Sequence, residues 1–227
     1  MVAFQKNNFP SEFLFLLPLC SLMITYIIIA ITCLVSVSAF SNRELFGKLL
    51  FNAYIIRVGK EWYRFLTHAV VHADWIHLAM NMYVLYMFGK IVEEIFVIEF
   101  GLVKGEIFFF LLYFIGIVAS CFPSYEKNKD NSYYNSVGAS GAVSAIVFSS
   151  ILLNPWMSLS LMFIPIPIPA PIFGLLYLLY CRYAANHAKD NVAHDVHYWG
   201  SLFGVVFTII VLPSTVPQFI EAVKNIF

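Results

Sequence analysis

Charge is what this sequence has least of. Lysine, arginine, aspartate and glutamate make up 11% of its 227 residues, and 13 basic side chains face 13 acidic ones. Soluble domains carry about 25% charged residues, so a freely soluble globule is excluded. The 61% hydrophobic content and a mean hydropathy of +0.81 instead describe an integral membrane protein. A net charge of zero leaves no electrostatic footprint for nucleic acid. The expected surroundings are the lipid bilayer, and the length suits one helical domain over 1–227.

Cysteine is also scarce. Cys20, Cys33, Cys121 and Cys181 show no short pair spacing, so they form neither a disulfide framework nor a zinc ligand set. They read as apolar fillers. His68 and His72 have the i, i+4 spacing of metal-binding helices, but Ala69 stands where a metalloprotease helix carries glutamate. No metal and no other cofactor is expected. The sequence also lacks an inverted internal repeat, which weighs against a small transporter using intramembrane histidines as a proton relay. Lys6 before an apolar run imitates a signal peptide, yet the run from about Phe13 to Phe40 far exceeds a 7–15-residue signal core.

What the chain has is apolar segments, near 13–39, 75–98, 105–122, 138–153, 171–184 and 197–213. They predict an all-α membrane protein, a bundle of six transmembrane helices. The fourth and fifth are short against the ~20 residues a span needs, which a bundle tolerates where neighbours cover helix ends. Between the first two segments a mixed basic and apolar stretch carries Trp62 and Tyr63 beside Lys60 and Arg64, which predicts an interfacial first loop. The polar run 126–135 reads as a loop, and "FIPIPIPAPIF" (163–173) as an extended connection, since proline ends helices. With six segments, the second, fourth and sixth run in one direction, so their first residues meet at one face. His77 and Asn81, Ser140, and His197 lie at those starts.

Ser140 opens the fourth segment in "GASG", between Gly138 and Gly141. Glycine permits a sharp turn and close approach, and a helix N-terminus points free N–H groups at an oxyanion. A serine there suits a nucleophile. On this stretch alone, small-residue packing through Gly141-x-x-x-Ala145 accounts for the pattern better. His197 adds the base that a serine needs. His197, Gly200, Ser201 and Gly204 share one helical face, and the glycines let that face approach a neighbour closely. If the neighbour is the fourth segment, His197 reaches Ser140. His194 competes for the role but is expected outside the helix, facing water beside Asp190 and Asp195. His77 and Asn81, four apart, suit side-chain donors of an oxyanion hole. Asp74 suits the N-cap of their helix. His68, His72, His77, Asn81, Ser136, Ser140, Ser144 and His197 are expected to line a hydrated cavity.

Three motifs in order, "HAVVHADWIHLAMN", "GASG" and "HYWGSLFG", resemble those of the rhomboid family of intramembrane serine proteases, and the likeness covers nearly the whole chain. The resemblance implies a serine–histidine dyad without a third acid, Ser140 as nucleophile and His197 as base. It implies an oxyanion held by the Ser140 amide, His77 and Asn81. His68 and His72 match the family's outer histidines, with structural or water-organising roles. Arg64 matches a loop-stabilising arginine and Glu93 a glutamate low in the second helix, both architectural. Transmembrane protein substrates follow, cleaved in or near their helices, in a cell (inner) membrane with both termini cytoplasmic. A non-catalytic rhomboid-like protein that binds membrane clients is the other reading of the same bundle. Two departures stand out. Ser144 occupies the place where some members carry a tyrosine against the histidine ring. The family orientation also puts nine of the 13 lysines and arginines outside, against the positive-inside bias.

Overall fold

Polarity is inverted in the first described helix. α1 (Ile24–Ser41) buries Thr25, Thr32 and Ser36 and turns Ile31 and Leu34 outward, at 50% and 71% exposure. Hydrocarbon makes that distribution favourable, because hydroxyls find partners only inside the bundle. The computed structural model describes residues 23–161, 164–188, 190 and 192–225. The opening of the first expected segment, 13–22, and Cys20 within it lie outside the described residues.

Each of the six apolar segments coincides with helix in the described residues. After α1 come α5 (Trp75–Val84) and α6 (Lys90–Phe100), joined by a π-helical turn at Leu85–Gly89. α7 (Leu102–Asn128), α8 (Ser140–Leu153), α9 (Ala170–His187) and α10 (His194–Val211) follow. α7 runs past Pro123 into the polar run expected to be loop, so that only its later part is non-helical. Among the described helices, α1 and α7 are each long and apolar enough to cross a membrane, and α10 qualifies only with α11 (Thr215–Lys224) across a 119° bend. α8 has only 14 residues, and the π turn divides α5 from α6. A count of six spans therefore does not follow from helix length alone.

α8 is the axis of the fold. Gly141–Ile146 and Phe148–Leu152 are buried, so neighbours cover it on nearly every side and its shortness is tolerated. α10 packs along it more extensively than any other pair of elements, with α7 behind both. Gly200 and Gly204 set that approach: a Cβ on Gly200 would overlap the Gly141 carbonyl, and one on Gly204 the Ala145 carbonyl. Backbone touches backbone, as small-residue packing in membranes allows. Further down, the Thr208 and Ser149 hydroxyls lie 2.8 Å apart.

The first loop is ordered by polar capping. α2 (Arg43–Leu49), α3 (Ala53–Gly59) and α4 (Arg64–Thr67) precede a 3₁₀ turn at His68–Val70. Asn42 and Asn52 accept from the Leu45 and Ile55 amides at 2.9 and 2.8 Å, capping α2 and α3. The proline-rich connection is an antiparallel hairpin, β1 (Ser158–Leu161) with β2 (Ile164–Pro169), in which Leu159 pairs Ile168.

Candidate active site

Two loops meet ahead of Ser140. Phe51 and Ser136 exchange backbone hydrogen bonds at 2.9 and 3.0 Å, tying the first loop to the segment before α8. Arg64 organises the first loop: Nη1 donates to the Gly47 and Leu50 carbonyls at 2.8 and 2.7 Å, and Nε to Glu61 at 2.7 Å. The Tyr63 hydroxyl and then Arg64 hold the Glu61 carboxyl below the usual carboxylate range.

His68 and His72 sit behind the serine rather than in front of it. The buried His68 donates from Nδ1 to the Arg64 carbonyl at 3.0 Å, and its own carbonyl accepts the Gly138 amide at 2.9 Å. The Ser36 hydroxyl gives its one proton to the Val70 carbonyl at 2.8 Å, so His72 Nδ1, 3.0 Å away, must be its donor. His72 Nε2 is then an acceptor for the Ala139 amide at 3.4 Å. Both histidines fix the backbone one and two residues before the nucleophile candidate.

Gly138 turns that backbone at φ +110°, a conformation that L side chains rarely adopt. A Cβ here would also come within 2.7 Å of the His77 ring. Asp74 caps α5 through the His77 amide at 2.8 Å, and His77 Nδ1 lies 3.4 Å from the Ala73 amide, which assigns the ring proton to Nε2. The donor edge of His77 therefore lies beside Gly138. Asn81 Nδ2 gives one proton to the His77 carbonyl at 2.9 Å and keeps a second.

Ser140 is the first residue of α8, where no side chain caps the helix. His197 lies in the first turn of α10, with its backbone on Ala193 at 3.2 Å. Ser140, His197 and Asn81 line one cavity of about 650 Å³, walled by Met80 and Phe88 on one side and Tyr177 of α9 on the other. Among the described residues no hydrogen bond links the Ser140 hydroxyl to the His197 ring. His68, His72, His77 and Ser136, expected to line the cavity, are not among its lining residues. Backbone and core hydrogen bonds already occupy His68, His72 and Ser136.

One further residue escaped the sequence reading, and another, His194, was misplaced by it. Tyr177 approaches the Ser144 hydroxyl at 3.5 Å, bringing a phenol from α9 to the wall where Ser144 replaces a tyrosine. His194 is neither outside the helix nor in water. It is the first residue of α10, 5% exposed, with its ring edge-on to His197 at 6.2 Å between centroids. Helical periodicity did not place the helix start as early as His194. Glu93 also lies away from the cavity: it accepts from the Ile24 and Thr25 amides at 2.5 and 3.1 Å and from the Thr25 hydroxyl at 2.7 Å. A buried carboxyl group thus accepts the first free amides of α1.

Helical packing, inverted polarity and glycine-to-backbone close contacts define a helical integral membrane protein. The model of the Rhomboid domain matches residues 59–214, more than half of the chain, and the chain belongs to the rhomboid family. It is 30% identical over 159 residues to "Rhomboid-like protein 11, chloroplastic" of Arabidopsis thaliana, covering 64% of this chain and 51% of that one. It is 28% identical over 150 residues to "RHOMBOID-like protein 12, mitochondrial" of the same plant, covering 62% of this chain and 44% of that one. The chain thus spans about half the length of these relatives. Both are named for organelles, so they lend no support to a cell inner membrane.

Proposed function

We propose that the protein is an intramembrane serine endopeptidase that cleaves peptide bonds in or near the transmembrane helices of other proteins. The observation that supports this most is the crossing of α8 and α10. Their backbones touch at Gly141 and Gly200, and Ser140 and His197 open from that crossing into one cavity with Asn81.

In this mechanism the Ser140 hydroxyl attacks the scissile carbonyl while His197 takes its proton. The resulting oxyanion lies over the start of α8, where the Ser140 amide has no partner among the described residues, with Asn81 Nδ2 and His77 Nε2 as further donors. His197 then protonates the leaving amine, and water admitted through the cavity hydrolyses the acyl-enzyme on Ser140. A helical substrate must first expose its carbonyl, so segments weakened by glycine or proline are preferred. Catalytic hydrogen bonds are often long in unliganded sites and tighten with substrate.

The separated Ser140 and His197 side chains also fit a client-binding protein without catalysis. Reconstitution in liposomes with a glycine-containing transmembrane reporter separates the two. The protease reading expects cleavage by the wild type and none by Ser140→Ala or His197→Ala. Equal cleavage by Ser140→Ala would end it.

A further inference from the structure

The proposed mechanism uses His197 alone of a three-residue cluster and gives no role to the two buried members. Cys181 of α9 and His194 and His197 of α10 each bring one ligating atom to a common point, all within 4.8 Å of one another. Cys181 is fully buried, and His194 is 5% exposed. His194 Nε2 lies 3.1 Å from both carboxylate oxygens of Asp190. That contact fixes the proton on Nε2 and leaves the lone pair on Nδ1. Nδ1 is buried and has no hydrogen-bond partner among the described residues.

Leaving a buried imidazole nitrogen without a partner is unfavourable, so its retention needs a reason. The surroundings supply one. A carboxylate behind a histidine is the arrangement that orients metal-ligating imidazoles and raises their basicity. A thiol and a second imidazole lie in front of it. This donor set suits a borderline-soft ion. Ligands at about 2.0–2.3 Å from Zn²⁺ stand roughly 3.5 Å apart, so the three groups need to close by roughly 1 Å, which side-chain rotation supplies.

We propose that Cys181, His194 and His197 form a site for Zn²⁺ or a similar divalent ion, oriented by Asp190, and that its occupancy switches the protease off. The inhibitory half of this proposal rests on the protease reading; the binding half does not. Binding displaces the Cys181 thiol proton to solvent and takes the single lone pair of the neutral His197 imidazole. The other ring nitrogen carries the proton, so a metal-bound His197 cannot accept one from Ser140, whichever nitrogen coordinates. The cavity side supplies the fourth position to water.

The site joins α9 to α10. The separations are 13 residues from Cys181 to His194 and three from there to His197.

Titration of the purified full chain with Co²⁺ tests the binding half. The expected result is one equivalent bound with a thiolate-to-cobalt charge-transfer band, displaced by Zn²⁺. Cys181→Ala loses the band, and Cys181→Ser serves if the alanine variant does not fold. Asp190→Asn weakens binding by about 10–100-fold, the usual effect of removing such a carboxylate. Fluorophosphonate labelling tests the inhibitory half: Zn²⁺ protects Ser140 in the wild type and not in Cys181→Ala, while both label equally without metal. Binding without the thiolate band, or no binding, overturns the site. Protection that persists undiminished in Cys181→Ala overturns the switch. A chain that never labels, yet shows the cobalt band, contradicts the protease reading and leaves the metal site standing.

Discussion

The chemistry depends on a few positions where one atom decides. At Gly138 a side chain would meet both a positive φ and the His77 ring at 2.7 Å. Gly138→Ala should destabilise the fold by about 1–3 kcal/mol, since strain and overpacking act together. It should lower activity further by displacing His77; thermal melts and reporter cleavage measure the two separately. Asn81 sits in the cavity with a free Nδ2 proton, so Asn81→Ala should reduce kcat by about 10²–10³ if that proton meets the oxyanion. An unchanged kcat would remove Asn81 from the mechanism. His72 acts differently: its tautomer, set by Ser36, lets it accept the Ala139 amide. Asn81 as a donor and a sharp glycine turn were legible in the sequence, and the family resemblance implied structural or water-organising roles for His68 and His72, but the groups those histidines hold were not. Their partners are backbone groups, which residue identity does not report.

Among elements, the crossing of α8 and α10 carries most of the design. Gly200→Ala and Gly204→Ala each force a methyl into a carbonyl of α8 and should cost at least about 1–3 kcal/mol. Gly47→Ala is the matching control. No atom lies within 4 Å of its added Cβ, and it sits in α2, so alanine there should be neutral or stabilise by up to about 1 kcal/mol. Glu93→Ala should destabilise by about 1–3 kcal/mol, because the amides of Ile24 and Thr25 lose a buried acceptor. The glycine face of α10 was readable from i, i+3, i+4, i+7 spacing, and so were the six apolar segments. The π turn, the hairpin pairing of 158–169 and the α11 bend were not. They depend on backbone hydrogen bonds and contacts with distant elements, and periodicity sees only one element at a time. The first loop shows the same limit: its hydrophobic pattern is weak, and Arg64 and the asparagine caps order it instead.

Taken as a whole, the molecule is a rhomboid-family membrane protein whose buried hydroxyls and apolar exterior fit a bilayer. Parity predicts the starts of the second, fourth and sixth segments at one face, on the expectation of six spans. The cavity they share with α9 could not be read that way, since Tyr177 reaches it only through the packing of α9. The central claim is that α8 and α10 bring a hydroxyl and an imidazole together as a working dyad. Mass-spectrometric mapping of fluorophosphonate adducts on the reconstituted protein addresses it most directly. A single adduct on Ser140, abolished in Ser140→Ala and strongly reduced in His197→Ala, is the expected result. An adduct at another residue, or labelling of Ser140 that is indifferent to His197, would contradict it.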